Sequence, residues 1–229
     1  MSNQEVVKYI LDTYSEYIDN LRIVDLKKLL INDSVIEKGG IYVYDLMRVL
    51  IQLIIDECGV DIVNDIDLRG SITVNYYRGV VFNQHVNIKK DNIQKYEFGY
   101  AEFADGITIQ SKKLPRGSLG GAKMHGTVDL TSVKILDSGN LNYEFAENCT
   151  VKLSKNLKKI ESGSFLVNAS NAPRIEYNGL ISEFNELIEN NISRWASKVD
   201  ESTFTFTVED MSIKCTDGTW TYELFNSGK

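Results

Sequence analysis

The residues able to do chemistry are few. His85 and His125 are the only histidines. Neither has a partner four residues away that would place two ligands on one helix face, and no HExxH or GxSxG motif occurs, so a structural or surface role is the better reading of both. The stretch Gly117-Ser118-Leu119-Gly120-Gly121-Ala122-Lys123-Met124 approaches the spacing of a phosphate-binding loop. Ala122 stands where the second glycine is required and Met124 where the magnesium-binding hydroxyl belongs, and no helix follows to direct a dipole at phosphate. It reads as a loop between strands. Asp56, Glu57, Asp61, Asp65 and Asp67 gather acid without the spacing, central glycine or final glutamate of a calcium-binding loop. Lys152, Lys155, Lys158 and Lys159 alternate with Val151, Leu153 and Leu157, as the wet face of a strand does; a patch for anionic lipid headgroups is the competing reading. Cys58, Cys149 and Cys215 are odd in number and widely spaced, which fits neither a disulfide framework nor a CxxC site.

With 229 residues, 43% of them hydrophobic, the chain can bury a substantial core, and one domain over residues 1–229 is expected. A net charge of −7 repels polyanions, so nucleic acid is not an expected partner. The Met1-Ser2-Asn3 start leads into a helical pattern without the apolar stretch of a signal peptide. The sequons at Asn32, Asn148, Asn168 and Asn191 do not clearly exceed chance in so Asn-, Ser- and Thr-rich a chain.

Around these residues the hydrophobic period changes several times. Ser2 and Glu5 form a capping-box pattern, and Val7, Ile10, Leu11, Tyr14, Ile18 and Leu21 recur at helical spacing, predicting an amphipathic helix over 3–20. A second helix over 42–58 carries its polar residues on one narrow stripe and is otherwise apolar, which predicts burial on several sides. From Ile66 the period becomes two and continues through Val86–Ile88, Tyr96–Tyr100, Ile107–Ile109, Met124–Leu130, Leu141–Phe145, Val151–Leu153 and Phe165–Val167. Turn residues such as Asp105-Gly106, Ser138-Gly139-Asn140 and Ser162-Gly163 separate these runs, predicting an antiparallel meander over 66–167. A long amphipathic helix over 179–199 follows. A β extension over 203–225 ends the pattern, with Phe204, Phe206 and Val208 on one strand and a hairpin turning at Asp217-Gly218 before Trp220, Tyr222 and Leu224. No internal repeat of fixed period is evident.

The run Ile66-Asp-Leu-Arg-Gly-Ser-Ile-Thr-Val74, leading to Val80, Val81 and Val86-Asn-Ile88, resembles the strand, "gly-leu" turn and strand of the tubular lipid-binding (TULIP-like) family. Within it the order of elements is similar to the single-domain arthropod members, the mite group 7 allergens and the juvenile-hormone-binding and takeout proteins. The resemblance extends through Leu141–Val167 and Leu180–Val199. It implies an α+β fold, a long curved antiparallel sheet wrapped around long amphipathic helices, and an extracellular carrier. The chain as given lacks the family's signal peptide and the N-terminal disulfide of its hormone-binding branch.

The function expected on these grounds is non-catalytic: a carrier of an apolar small molecule, such as a lipid, terpenoid or pigment, in an elongated tunnel. No cofactor is expected beyond that ligand, membrane contact is at most transient, and no pattern specifies an oligomeric state. The expected lining comprises Leu46, Leu50, Leu53 and Ile54 of the second helix and Ile72, Val74, Phe98 and Tyr100 of the sheet. Phe184, Leu187, Ile188 and Trp195 of the last helix complete it. The alternative is a protein-interaction or structural module with a solid core and no small ligand.

Overall fold

A computed structural model describes residues 51, 52, 55, 56, 59–64, 77–89, 91, 93–141, 145–161, 173–195 and 212–227. Its strands are short: β1 (Val81–Phe82), β2 (Val86–Ile88), β3 (Glu102–Phe103), β4 (Ile107–Ile109), β5 (Lys113–Leu114), β6 (Lys123–Met124) and β7 (Thr127–Leu130). They continue as β8 (Ile135–Leu136), β9 (Thr150–Leu153), β10 (Lys159–Ile160), β11 (Arg174–Tyr177), β12 (Ser212–Lys214) and β13 (Thr219–Thr221). A 3₁₀ turn η1 (Val60–Asn64), a helix α1 (Ile181–Trp195) and a short helix α2 (Tyr222–Ser227) accompany them.

The strands wind into a β-solenoid. Each coil contributes to up to three sheets: β1-β3-β6, β2-β4-β7-β9-β11-β12-β13, and β5-β8-β10, here sheets I, II and III. Among the described residues every strand pair is parallel except the closing β12–β13 hairpin. Val86, Ile107, Val128, Val151 and Ile175 stack in register at intervals of 21, 21, 23 and 24 residues.

Three expectations are thereby corrected. The sheet is parallel rather than an antiparallel meander, and the strands surround one another rather than wrapping long helices, so the TULIP-like architecture is not the one formed. A repeat does exist, with a period that drifts from 21 to 24 residues. Parallel strands ordinarily need a helical crossover, but here the other two sheets of each coil serve as the crossover. Glycine-containing pairs such as Asp105-Gly106 therefore turn corners between sheets instead of closing hairpins. Tyr96–Tyr100 is not a strand either: Tyr96 (φ 60°) and Tyr100 (φ 58°) are left-handed and lie in a continuous turn. At the other end, Asp217-Gly218 does lie between the antiparallel β12 and β13, but Tyr222 and Leu224 belong to α2. The segments 3–20 and 66–76, most of 42–58 and the strand at Phe204–Val208 lie outside the described residues; Ile51, Gln52, Ile55 and Asp56 are helical.

Alternation sets the interior. In β4, β7, β9 and β11 every second residue is buried, and β-branched side chains dominate the inward rows, where they suit a pleated surface packed on one side. Because each inward residue sits above its counterpart one coil away, rings stack where adjacent coils both supply them. Phe82 and Phe103 are register partners with ring centroids 5.0 Å apart and planes at 6°, and Tyr77 and Phe98 repeat that geometry at 5.0 Å and 8°. Such pairs contribute about 0.5–1.5 kcal/mol each beyond the area they bury.

The far end is closed by α1. Its N-terminus is held by Glu183, whose carboxylate accepts the Leu180 N–H at 2.8 Å, and by Asp217, which accepts the Ile181 N–H at 2.8 Å. Phe184 then packs edge-on against Trp220 at 5.1 Å, and the Trp220 indole donates to Asn185 Oδ1 at 2.7 Å.

Coil stacking makes one glycine irreplaceable. Gly106 (φ 85°) turns a corner where an added Cβ would collide with the Thr127 backbone of the next coil, whereas Gly59 (φ 84°) has the same backbone conformation and open space around it. Gly59→Ala should cost about 1–2 kcal/mol from left-handed strain alone. Gly106→Ala should cost a further ~1–3 kcal/mol, as overpacking does. Urea midpoints at unchanged m-value would check the difference.

Candidate functional site

Sheet II has one face in the core and one outside. Register alone places Asn87, Thr108, Asp129, Lys152, Glu176 and Lys214 in a single outward row, one from each parallel strand. With strands roughly 4.8 Å apart, the last four form a file of alternating charge. Beside it runs a polar row containing Thr131, Asn178 and Thr216, and together these residues border an open cleft of about 450 Å³.

The groups in this cleft are fixed to different degrees. Asp129 Oδ1 accepts both the Thr131 N–H at 2.9 Å and the Thr131 hydroxyl at 2.6 Å, which orients the carboxylate along the strand. The Thr216 hydroxyl donates to the Gly179 carbonyl at 3.0 Å. Lys214 Nζ lies 3.3 Å from Glu176 Oε1, with its own side chain 67% exposed, so this pair is worth at most about 1 kcal/mol. Among the described residues Lys152 has no ion-pair partner within 4 Å, although register sets it between Asp129 and Glu176.

Two buried groups line the same cleft. Burial pushes the Cys215 thiol up to about 11, and the nearby Asp217 carboxylate acts in the same direction, while a Trp220 backbone hydrogen bond opposes them. Tyr177 is raised to about 12, first by burial and then by the negative fields of Glu183, Cys215 and Glu186. Its hydroxyl donates to the Lys155 carbonyl at 3.3 Å. A thiol held protonated is a poor nucleophile, and the rest of the lining supplies charged and hydrogen-bonding groups. Among the described residues no three His, Cys, Asp or Glu side chains gather as a metal site, and no helix is long and apolar enough to cross a membrane.

The histidines serve between coils. His85 Nδ1 lies 2.9 Å from the Asp105 carbonyl, which can only accept, so in the neutral ring Nδ1 carries the proton and Nε2 receives the Thr108 hydroxyl at 2.9 Å. His125 Nε2 lies 3.3 Å from Glu102 Oε1.

Of the residues expected to line a tunnel, those described lie in two parts of the solenoid. Leu46, Leu50, Leu53, Ile54, Ile72 and Val74 lie outside the described residues. Phe98 is fully buried in the aromatic stack of the early coils, and Tyr100 is 55% exposed on a corner. Phe184, Leu187 and Ile188 are buried on α1, which packs on β10 and β13 at the other end of the solenoid. Trp195 ends α1. Of the cleft residues, sequence reasoning singled out Lys152 as a wet strand face but missed Asp129, Glu176 and Lys214, which line up only once the 21-to-24-residue stacking is known.

The chain matches no protein-family model, no curated protein and no solved structure.

The raised pKa values carry a pH dependence of definite sign. Cys149 is also pushed up to about 11, by burial against the opposing effect of a Thr150 backbone hydrogen bond. The unfolded chain releases the cysteine and tyrosine protons near their ordinary values of 9.0 and 10.0, before the folded chain does. The stability these groups contribute is therefore complete below about pH 9 and lost as pH rises through 11 to 12. Urea midpoints should hold steady from pH 7 to 8.5 and fall progressively from about pH 9 upward, less so in Cys149→Ala once its own destabilisation at pH 7 is subtracted.

Proposed function

We propose that this chain is a non-catalytic interaction module whose solenoid is a solid scaffold and whose working surfaces lie outside it. The observation that carries this reading is the division of the coil into two faces. Inward rows are filled by stacked Phe, Ile, Val and Leu side chains, Phe82, Phe98 and Phe103 among them at 0% exposure, whereas the outward row of sheet II presents Asp129, Lys152, Glu176 and Lys214 beside the cleft. Interiors packed in this way leave no room for a guest without displacing side chains. Stacked coils, by contrast, offer extended surfaces on which a partner meets one residue from each repeat. Support for an apolar carrier is correspondingly weaker, since Phe98 and Phe184 lie in one continuous packed core, each against its own aromatic neighbours, Phe98 on Tyr77 and Phe184 on Trp220.

The expected outcome is that a fluorescent fatty-acid probe shows no saturable binding at micromolar concentration. Native mass spectrometry of protein from its natural source should likewise find no stoichiometric apolar adduct. A saturable one-to-one complex with the probe, displaced by unlabelled fatty acid, would reverse the assignment.

A further inference from the structure

The corner that joins sheet III to sheet I is built differently in one coil. In the third coil it is turned by two left-handed glycines, Gly117 (φ 63°) and Gly121 (φ 75°). Twenty-one residues earlier the same positions hold Tyr96 and Tyr100, at φ 60° and 58°, and one coil before that Gly79 (φ 69°) stands where Tyr100 does. Glycine is the residue this corner suits, because a side chain in the left-handed region strains the backbone. Two tyrosines four residues apart nevertheless occupy it.

Their rings are held in place and yet accessible. Tyr96 lies over the bare backbone of Gly117 and Tyr100 over that of Gly121, where an added Cβ would fall 2.7 Å from the Tyr100 ring. Tyr96 is 44% and Tyr100 55% exposed. The Arg78 guanidinium sits 4.5 Å from the Tyr100 ring centroid, on the side of the preceding coil. Lys95 and Arg116 are exposed, and the Arg116 carbonyl accepts the Tyr96 N–H at 3.3 Å, which sets these two cations on adjacent coils. The one acid in this pair of turns, Glu97, is buried, and its carboxylate accepts the Gln94 N–H at 2.7 Å. Of the acids on the flanking strands and corners, Glu102 faces His125 and Asp137 faces Lys113, and Asp91 is exposed four residues before Lys95.

We infer that this corner is a docking surface for an acidic, extended peptide segment of a partner protein. Arginine and lysine offer charge-assisted hydrogen bonds to carboxylates. Tyrosines fixed against glycine supply contact area with little side-chain freedom left to lose, which is the composition of binding hot spots. A nucleic-acid strand fits less well. Three cations on a chain of net charge −7 give little counterion release, whereas spaced carboxylates need only a few local partners. The inference rests on reading the chain as an interaction module but uses a different part of the coil from the sheet II cleft.

The test is a fluorescence-anisotropy titration of the full chain with a labelled Glu-rich, Ala-spaced peptide, beside its Lys-rich counterpart and a single-stranded oligothymidylate. Saturable binding of the acidic peptide alone is expected. Tyr96→Gly/Tyr100→Gly, which installs the residue found in the neighbouring coils, should weaken it at least about tenfold while the urea midpoint stays at or near that of the parent. Arg78→Gln/Arg116→Gln should weaken it comparably and flatten its salt dependence. Failure of the parent to bind the acidic peptide would overturn the inference, as would equal or tighter binding of oligothymidylate. So would a glycine variant that loses stability but binds as the parent does, because the rings then serve only to cover the coil below. Fatty-acid binding by the parent would count against the interaction-module reading without altering the peptide result, so the two failures are distinguishable.

Discussion

Everything in this fold depends on coils lying one strand spacing apart with their hydrogen-bonding groups in step. Stacking of coils satisfies the strands and the corners alike: Tyr77 N–H donates to the Glu97 carbonyl, Phe98 N–H to Ser118 and Gly117 N–H to Ser138, so the bonding continues around the bends. Where the backbone falls out of step, a side chain replaces it. Asn140 is fully buried in the core, takes the Leu119 N–H on its Oδ1 at 3.3 Å and donates from Nδ2 to the Asp137 carbonyl at 2.7 Å. The same stacking decides what fills the interior, since any inward residue must tolerate its own counterpart about 4.8 Å above and below.

A stack of this kind has ends, and an open end is a row of unpaired backbone groups ready to recruit another chain. Here two carboxamides imitate a further strand on the edge strands of sheets I and II. Gln52 donates to the Val81 carbonyl at 3.0 Å and accepts the Val81 N–H at 2.9 Å, and Asn64 donates to the Asn87 carbonyl at 2.7 Å and accepts the Lys89 N–H at 2.8 Å. At the opposite edge of sheet II the chain reverses into the antiparallel β13. Among the described residues sheet II thus meets amide geometry at one edge and chain reversal at the other.

Alternation along Val86–Ile88, Ile107–Ile109, Val128–Leu130 and Val151–Leu153 was legible in the sequence, as was the amphipathic segment that contains α1, because both are local patterns, whereas two-residue strands such as Glu102–Phe103 and Ile135–Leu136 are too short to show a period. The identity of each strand's neighbour was not. Val86-Asn87-Ile88 and Ile107-Thr108-Ile109 carry the same inside-outside pattern whether they pair parallel or antiparallel, and Asp105-Gly106 is as good a hairpin signal as a coil corner. The repeat itself is masked by its own tolerance. Tyr77, Phe98, Leu119 and Asn140 follow one another at 21-residue intervals yet share little chemistry, and after Val128 the interval lengthens by two and then three residues. The row of Asp129, Lys152, Glu176 and Lys214 was unreadable for that reason, since its members become neighbours only through the stacking.

Ile175 and Ile213 are register partners at an interval of 38 residues; between them the chain leaves sheet II, inserts α1 and returns in step, with Glu176 beside Lys214. Connections that lengthen cost little once closed, because closure entropy grows only with the logarithm of loop length. The ladder rather than the connection therefore determines where the returning strand sits. In evolutionary terms this uncouples growth from architecture. Segments can be spliced in where the chain leaves a β11-like strand while the outward row of residues keeps its order, so such a scaffold can diversify by insertion without relearning how to fold.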